Sequence, residues 1–417
     1  MAIDPLSGLG DKQAFVEELE KHLKEGTPFQ LLRADIIHLK SVNERYGHQA
    51  GDIVIKEVGK RFAKEFDSYQ LFRIHPVQYM AMGEIKDIDQ QNLLEKLSAT
   101  ININDDTYHP KVRLFLLTVD KDDDERKIAA VLKHASSKKE LLKERYIDID
   151  DSLKAEALNE DHLLKEILIA LEKKSFEVYY QPVLDVESGK MISAESLTRL
   201  KGSDGKPIRP DILFTYAEEK RLNFMITDII LHKVCRFLGE HRDLDIGSIS
   251  INMTPDELLN PELPDKLLQI TAEYGVDIKK IRLEMTERTI QRNPSEIIRI
   301  MNRLNEIGVG LYLDDFGTGF SNITTLFTMP FECIKLDKSL IDMSHEEDKA
   351  RMIALLVEMI HIGKAKIIAE GVESDSQREF VRNCGIERVQ GWCYAKALPE
   401  DEFTAFVKDK GNKRYEI

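Results

Sequence analysis

The chain has 417 residues, which at roughly 150 per domain suggests two or three domains. A 42% hydrophobic and 32% charged composition supplies ample apolar material for folded cores and argues against a disordered chain. The formal net charge of -15 argues against a generic binder of duplex nucleic acid or anionic membrane, so an anionic ligand would need metal ions or a local basic residue.

The four cysteines, Cys235, Cys333, Cys384 and Cys393, show no C-x-x-C spacing. They suggest neither a zinc site nor a disulfide framework, and fit thiols in a reducing cytoplasm. The opening Met-Ala-Ile-Asp has neither the basic start nor the apolar run of a signal peptide. The most apolar later stretch, Met352 to Gly363, is short and carries Glu358 and His361, so no membrane span is expected.

The first part alternates helices and strands. Phe15, Leu19 and Leu23 give Asp11 to Lys24 a helical spacing, and Phe29 to Ile37 is strand-like. Ile53, Val54, Val58 and Phe62 predict a helix over Ala50 to Phe62. Leu71 to Met82 and Val112 to Val119 are again strand-like. The acidic run Asp120 to Glu125 precedes a helix from about Ile128 and reads as its solvated start, favoured by the helix dipole. A polar stretch from Ser136 to Asp151 separates the halves. The boundary is expected near residue 155, between domains at 1–150 and 158–410, with Leu163 to Leu171 opening the second.

The second part repeats short apolar strands that end in polar residues, most of them followed by helical stretches. The strand ends are Glu195, Asn252, Glu284, Asp314 with Asp315, Lys335, Glu370 and Gln390, and a leading strand from Phe176 to Leu184 holds Gln181. This rhythm predicts an eight-stranded (β/α)8 TIM-like barrel behind an α/β first domain. In such a barrel the C-terminal strand ends form the active site. Alternation agrees: Ile249 and Ile251 share one face, and Ser248, Ser250 and Asn252 the other.

Five carboxylates gathered at one mouth would repel each other strongly. A lone glutamate at a strand end is most often a solvated surface group, and an Asp pair before Phe-Gly can simply cap a turn. The joint pattern is what carries weight. Oxygen donors without His or Cys favour Mg²⁺ or Mn²⁺ over zinc. Asp314 and Asp315 suit two metals about 3.5–4 Å apart, the arrangement that stabilises both oxygens of an in-line phosphoryl displacement. Lys335 adds a fixed cation suited to orienting water or neutralising developing charge.

Residues from about 158 to 408 resemble an EAL domain, the bacterial cyclic di-GMP phosphodiesterase. The resemblance rests on Tyr-Tyr-Gln-Pro (179–182), Ala-Glu-Ser-Leu-Thr-Arg (194–199), Ile-Asn-Met-Thr (251–254) and Glu-Met-Thr-Glu (284–287). It continues in Asp-Asp-Phe-Gly-Thr-Gly-Phe-Ser (314–321), Ile-Lys-Leu-Asp (334–337), Ala-Glu-Gly-Val-Glu (369–373) and Val-Gln-Gly (389–391). Ser196 departs from the signature, which has Ala. The resemblance implies that Glu195, Asn252, Glu284, Asp314 and Asp315 bind two metal ions. By the same resemblance Lys335 holds the attacking water, and Glu370 serves the second metal or accepts a proton. Gln181 and Arg199 would grip phosphate and guanine, with Gln390 nearby, and Glu287 would anchor the loop Phe316 to Ser321. A homodimer through this domain and hydrolysis of cyclic di-GMP to linear pGpG are also implied. The alternative is a catalytically silent cyclic di-GMP receptor or an interaction scaffold.

Residues 4 to about 145 resemble a GGDEF diguanylate cyclase domain in degenerate form. Asp4-Pro-Leu-Ser-Gly-Leu9, Asp35 to Asn43 and Tyr46 to Asp52 match its motifs. The signature hairpin instead reads His75-Pro76-Val77-Gln78-Tyr79. The paired glycines that admit a phosphate are gone, and Val77 and Gln78 replace the acidic pair. Ile37 stands where the family usually has Asp, and the Arg-x-x-Asp product-inhibition motif is absent from Phe66 to Tyr69. No cyclase activity is expected. Asn43 and Asp52 match guanine-recognising positions. They make GTP binding one reading of this domain, and a scaffold or dimerisation role the other.

Overall fold

The computed structural model describes residues 2–66, 70–84, 88–103, 106–286, 294–318 and 329–410. The chain divides into two compact units, Met1–Lys165 and Glu166–Ile417. The division falls inside one helix, Asp151–Lys173.

In the first unit a five-stranded sheet runs in the order Gln70–His75, Gln78–Gly83, Phe29–Ile37, Lys111–Val119, Tyr146–Ile149. All pairings are antiparallel except the last. Alternation along Phe29–Ile37 feeds two cores. Leu32, Ala34 and Ile36 pack with Val54, Val58 and Phe62, while Phe29 and Leu31 pack with Phe15, Leu19, Ile128 and Val131. Both sheet faces are therefore covered by helices, which is why these strands read as nearly continuous apolar runs.

The expected helices appear as Lys12–Glu25, His48–Glu65 and Glu125–Ser137. The stretch from Leu71 to Met82 is not one strand but a hairpin that turns at Pro76 and Val77. Proline has no N–H for the ladder, so the run breaks there. Helices Leu39–Tyr46 and Gln90–Leu97 lie in segments too polar to be foreseen. The polar stretch from Ser136 to Asp151 is folded rather than a spacer. Ile147 and Ile149 point into the core of the first unit while Asp148 is exposed, so two buried residues suffice to dock the strand. In the acidic run, Asp124 caps its helix by accepting from the Lys127 N–H (2.7 Å). Asp120 and Asp123 instead pair with Lys154 Nζ at 2.6 and 3.2 Å, a role beyond solvation.

The second unit is a closed eight-stranded barrel. Its strands are Glu177–Asp185, Met191–Lys201, Ser248–Asn252, Ile281–Thr286, Gly310–Phe316, Cys333–Leu336, Lys366–Ala369 and Arg388–Val389. It departs from eightfold β/α repetition in one place. The first strand runs antiparallel to both the second and the eighth. The link to the second strand is a tight turn containing Gly189 at φ 65°, and a turn this short can join only antiparallel strands. The remaining strands pair in parallel, so their C-terminal ends share one rim. Helix Asn223–Glu240 buries Ile226, Ile230, Val234 and Phe237. Ser196 Oγ donates to the Ser250 carbonyl (2.7 Å), so this buried hydroxyl is satisfied.

No helix among the described residues is long and apolar enough to cross a membrane.

Candidate active site

Register brings the polar strand ends together. Asn252 lies opposite Glu284, and Gln181 opposite Glu195. At the centre stands Lys335, 1% exposed, from the sixth strand. Its Nζ lies 3.1 Å from Glu195 Oε2, 2.7 Å from Glu284 Oε2, 2.9 Å from Asp314 Oδ1 and 2.8 Å from Glu370 Oε1. Residues separated by up to 175 positions in the chain thus share one ammonium group.

The environments of these carboxylates differ. Burial pushes Glu195 upward, but the Lys335 charge and hydrogen bonds from Gln390, Asn252 and Lys335 more than offset it, holding the group below its ordinary range. Gln390 Nε2 donates to Glu195 Oε2 at 2.8 Å and Asn252 Nδ2 to Glu195 Oε1 at 3.1 Å. Burial drives the Glu284 carboxyl well above its usual value, helped by repulsion from Glu195 and Asp314, although it accepts from Lys335. Burial also raises Glu370 to about 8 and Asp315 to about 6, the latter helped by Asp314 next to it. Surrounded by acid groups, Lys335 stays protonated, its own pKa driven well upward despite burial.

Asp314, Asp315 and Glu370 offer carboxylate oxygens that all lie within 4.8 Å of one another. Asp315 adopts a left-handed backbone, φ 54°, at the end of its strand. Thr318 Oγ1 donates back to its carbonyl at 2.9 Å, and Gly317 at φ 102° sits so close to Leu340 that a side chain there would clash. The turn therefore needs glycine, and it aims two successive carboxylates at the rim. One ammonium against four carboxylates, with Asp315 beside Asp314, leaves an excess of negative charge. The donors are all oxygens, and Asn252, whose amide nitrogen is engaged, has its amide oxygen to offer. This donor set fits hard divalent cations.

Gln181 and Arg199 lie further out. Gln181 Nε2 donates to the Ala395 carbonyl (3.3 Å), and the Arg199 guanidinium sits 5.5 Å from the Tyr179 ring. Gln390 is not peripheral: it is 4% exposed and bonded inside the carboxylate cluster, with its Oε1 unpartnered among the described residues. Beside Asn252 and Arg199 opens a cavity of about 390 Å³ that includes Phe214, Asn223 and Thr254. Its wall is braced by contacts the sequence reading did not use. Asn223 Nδ2 donates to Thr254 Oγ1 (2.7 Å), and Thr254 N–H and Oγ1 donate to Glu257 at 2.8 and 2.7 Å. The pattern Thr254-x-x-Glu257 is a capping-box signal that could have marked this turn.

Glu287 and residues 319–321 of the expected loop lie outside the described residues. Asn43 and Asp52 belong to the first unit, on helices Leu39–Tyr46 and His48–Glu65. Asn43 Oδ1 is buried without a hydrogen-bond partner among the described residues, and a Cβ on Gly51 would overlap it.

Comparison with known proteins adds the family. The EAL domain model matches residues 164–397, and the diguanylate cyclase GGDEF domain model matches residues 1–145. The bifunctional diguanylate cyclase/cyclic di-GMP phosphodiesterase MucR of Pseudomonas aeruginosa is 26% identical over 408 residues, covering 94% of this chain and 59% of that protein. The probable cyclic di-GMP phosphodiesterase PdeB of Escherichia coli is 34% identical over 240 residues, 57% of this chain and 46% of that protein. The chain spans about half the length of the curated relatives it matches. Among solved structures, the PaMucR phosphodiesterase in complex with c-di-GMP aligns with a TM-score of 0.54 at 28% identity, covering 58% of this chain and 99% of that one. The EAL enzyme Bd1971, at 21% identity and a TM-score of 0.58 over 79% of this chain and 89% of that one, shares the fold. The EAL match takes in more than half of the sequence, and the chain belongs to the EAL domain family, with a GGDEF domain preceding the barrel.

Proposed function

We propose that the barrel hydrolyses one phosphodiester bond of cyclic di-GMP to give linear pGpG. The single observation that carries this reading is the convergence of Glu195, Glu284, Asp314, Asp315 and Glu370 on one rim around Lys335. Relatives named for this activity, and a related phosphodiesterase solved with c-di-GMP, support the choice of substrate.

Glu195, Asn252, Glu284, Asp314 and Asp315, with Glu370, would hold two Mg²⁺ or Mn²⁺ ions. When bound, such ions polarise the phosphoryl oxygens, lower the pKa of water and steady the leaving oxygen. The protein's own groups do the rest. Lys335 keeps the acid groups converged and orients the water that adds to phosphorus as the bond to the ribose oxygen breaks. Glu370 would serve the second metal or accept a proton. Arg199, half-buried against Tyr179, supplies the cation for a phosphate, and Gln181 supplies an amide for a base edge.

The first unit would be regulatory and without cyclase activity. Asp35, in register with Gln78 of the altered hairpin, is already paired with buried Arg33 (3.0 Å), so it offers no free acid pair to a metal. Asn43 and Asp52 would form a GTP pocket, and the alternative is a scaffold or dimerisation role. A homodimer through the barrel unit is supported by Met352, Leu355 and Ile362, exposed at 68%, 58% and 77% on one face of helix Glu347–Ile362.

The deciding experiment is chromatographic detection of pGpG from cyclic di-GMP with Mg²⁺ or Mn²⁺, repeated with EDTA. Metal-dependent product formation is expected. Tight binding without turnover in either metal would instead make the protein a receptor.

A further inference from the structure

The first unit holds a second convergence of metal-type donors, built on different chemistry. Helix Glu125–Ser137 brings His134 against the start of helix Asp151–Lys173. Glu156 and Glu160, four residues apart, lie on one face of that helix. His134 Nδ1 lies 3.2 Å from Glu160 Oε2, and its Nε2 lies 3.6 Å from Glu156 Oε1. One donor atom from each of the three residues falls within 4.8 Å of the others.

The imidazole is the informative member. Its side chain is only 9% exposed, and Nε2 is buried with no hydrogen-bond partner among the described residues. Neutral imidazole carries one proton. With that proton on Nδ1, His134 donates to Glu160, and Nε2 turns its lone pair toward the lone pairs of Glu156. A cation between them converts that repulsion into two bonds. A metal-bound histidine whose other nitrogen donates to a carboxylate is a recurrent arrangement, because the carboxylate fixes the tautomer and the ring orientation. Metal–ligand bonds of 2.0–2.2 Å in a tetrahedral site put neighbouring ligand atoms roughly 3.4 Å apart, close to the 3.6 Å between His134 Nε2 and Glu156 Oε1. Lys138 Nζ occupies the other oxygen of Glu156, Oε2, at 2.5 Å and leaves Oε1 facing the ring.

We propose that His134 Nε2 and Glu156 bind a divalent transition-metal ion, with Glu160 accepting from Nδ1 to orient the ring and water completing the shell. One imidazole with carboxylates favours Zn²⁺, Co²⁺ or Mn²⁺ over Mg²⁺. The site lies wholly within the first unit and pins the two helices together. The rival occupant is a proton, which would make His134 an imidazolium donating to both glutamates.

The test uses the full chain stripped with EDTA, carrying Asp314→Asn and Asp315→Asn to weaken the barrel's acid cluster. Zn²⁺ titration by calorimetry should find a site that His134→Gln weakens at least tenfold, and Glu160→Gln likewise. X-ray absorption at the zinc edge, at one equivalent, should show imidazole scattering. Unchanged zinc affinity in a folded His134→Gln chain, judged by circular dichroism, would overturn the site. If neither variant folds, the parent chain decides alone, because an oxygen-only shell there removes His134 as a ligand.

Discussion

Lys335 Nζ and Glu284 Oε2 lie 2.7 Å apart with both side chains 1% exposed, a salt bridge buried inside the barrel mouth. A buried pair of this kind resists the loss of either partner, because the survivor is left charged and unsolvated. Replacing Lys335 with Met should therefore destabilise the metal-free protein by about 3–5 kcal/mol. Millimolar Mg²⁺ or Mn²⁺ should restore part of that loss while turnover stays lost. Urea unfolding with and without metal checks this, and a Lys335→Met chain as stable as the parent would show that the acid groups do not depend on the lysine.

Glu195 accepts hydrogen bonds from Asn252, Gln390 and Lys335. Glu195→Gln keeps the shape but removes the charge. Turnover should fall by roughly 10²–10³-fold, as when a group that stabilises transition-state charge is removed. Near-parental rates would take Glu195 out of the site.

The acid cluster also sets a pH dependence. Glu370 titrates near 8 in the folded protein against an ordinary 4.5, and Asp315 near 6 against 3.8. The folded state therefore holds more protons than the unfolded one across these intervals, so stability falls as pH rises through them. Glu195, held below its usual range, contributes stability that is lost only in more acidic solution. Between pH 5 and 8 the metal-free protein should lose Tm, and added Mg²⁺ should raise Tm more at pH 8 than at pH 5, since cation and proton compete for the same oxygens. Calorimetric melts at several pH values measure both effects; a Tm that climbs from pH 5 to 8 without metal would contradict the assignment.

If helix Glu347–Ile362 pairs with a second copy, Leu355→Asp should shift the protein toward monomer in light scattering after size exclusion. The change should leave thermal stability of the monomer within about 0.5 kcal/mol, as is usual for a surface position. An unaltered mass would place any self-association elsewhere.

Asn43→Ala should abolish any heat of GTP binding. Where the parent itself shows none at millimolar GTP, the first unit is a scaffold with respect to that nucleotide.

Much of this was legible in the residues. Period-two alternation such as Ser248 to Asn252, with polar ends on successive strands, already specified a barrel and which face lines it, because side-chain direction along a strand follows from backbone geometry alone. The ordered motifs marked the same carboxylates. The antiparallel first strand escaped, since direction depends on the length of a connection and the pairing it permits, not on side-chain type. The strand Tyr146–Ile149 also escaped, because two buried isoleucines among charged neighbours look like linker until a sheet edge receives them.

What the sequence determined by itself was the inventory: which acids, amide and lysine stand at strand ends, and the residues His75 to Gln78 that form the hairpin. Only the tertiary structure decided their relations. It set Lys335 among four carboxylates, drew Gln390 into the cluster, separated Glu195 from Glu284 and Glu370 in proton affinity, and turned His134 toward Glu156 and Glu160. The physical reason is that a charge's behaviour depends on its burial and on neighbours within a few ångströms, and those neighbours are supplied by segments far away along the chain.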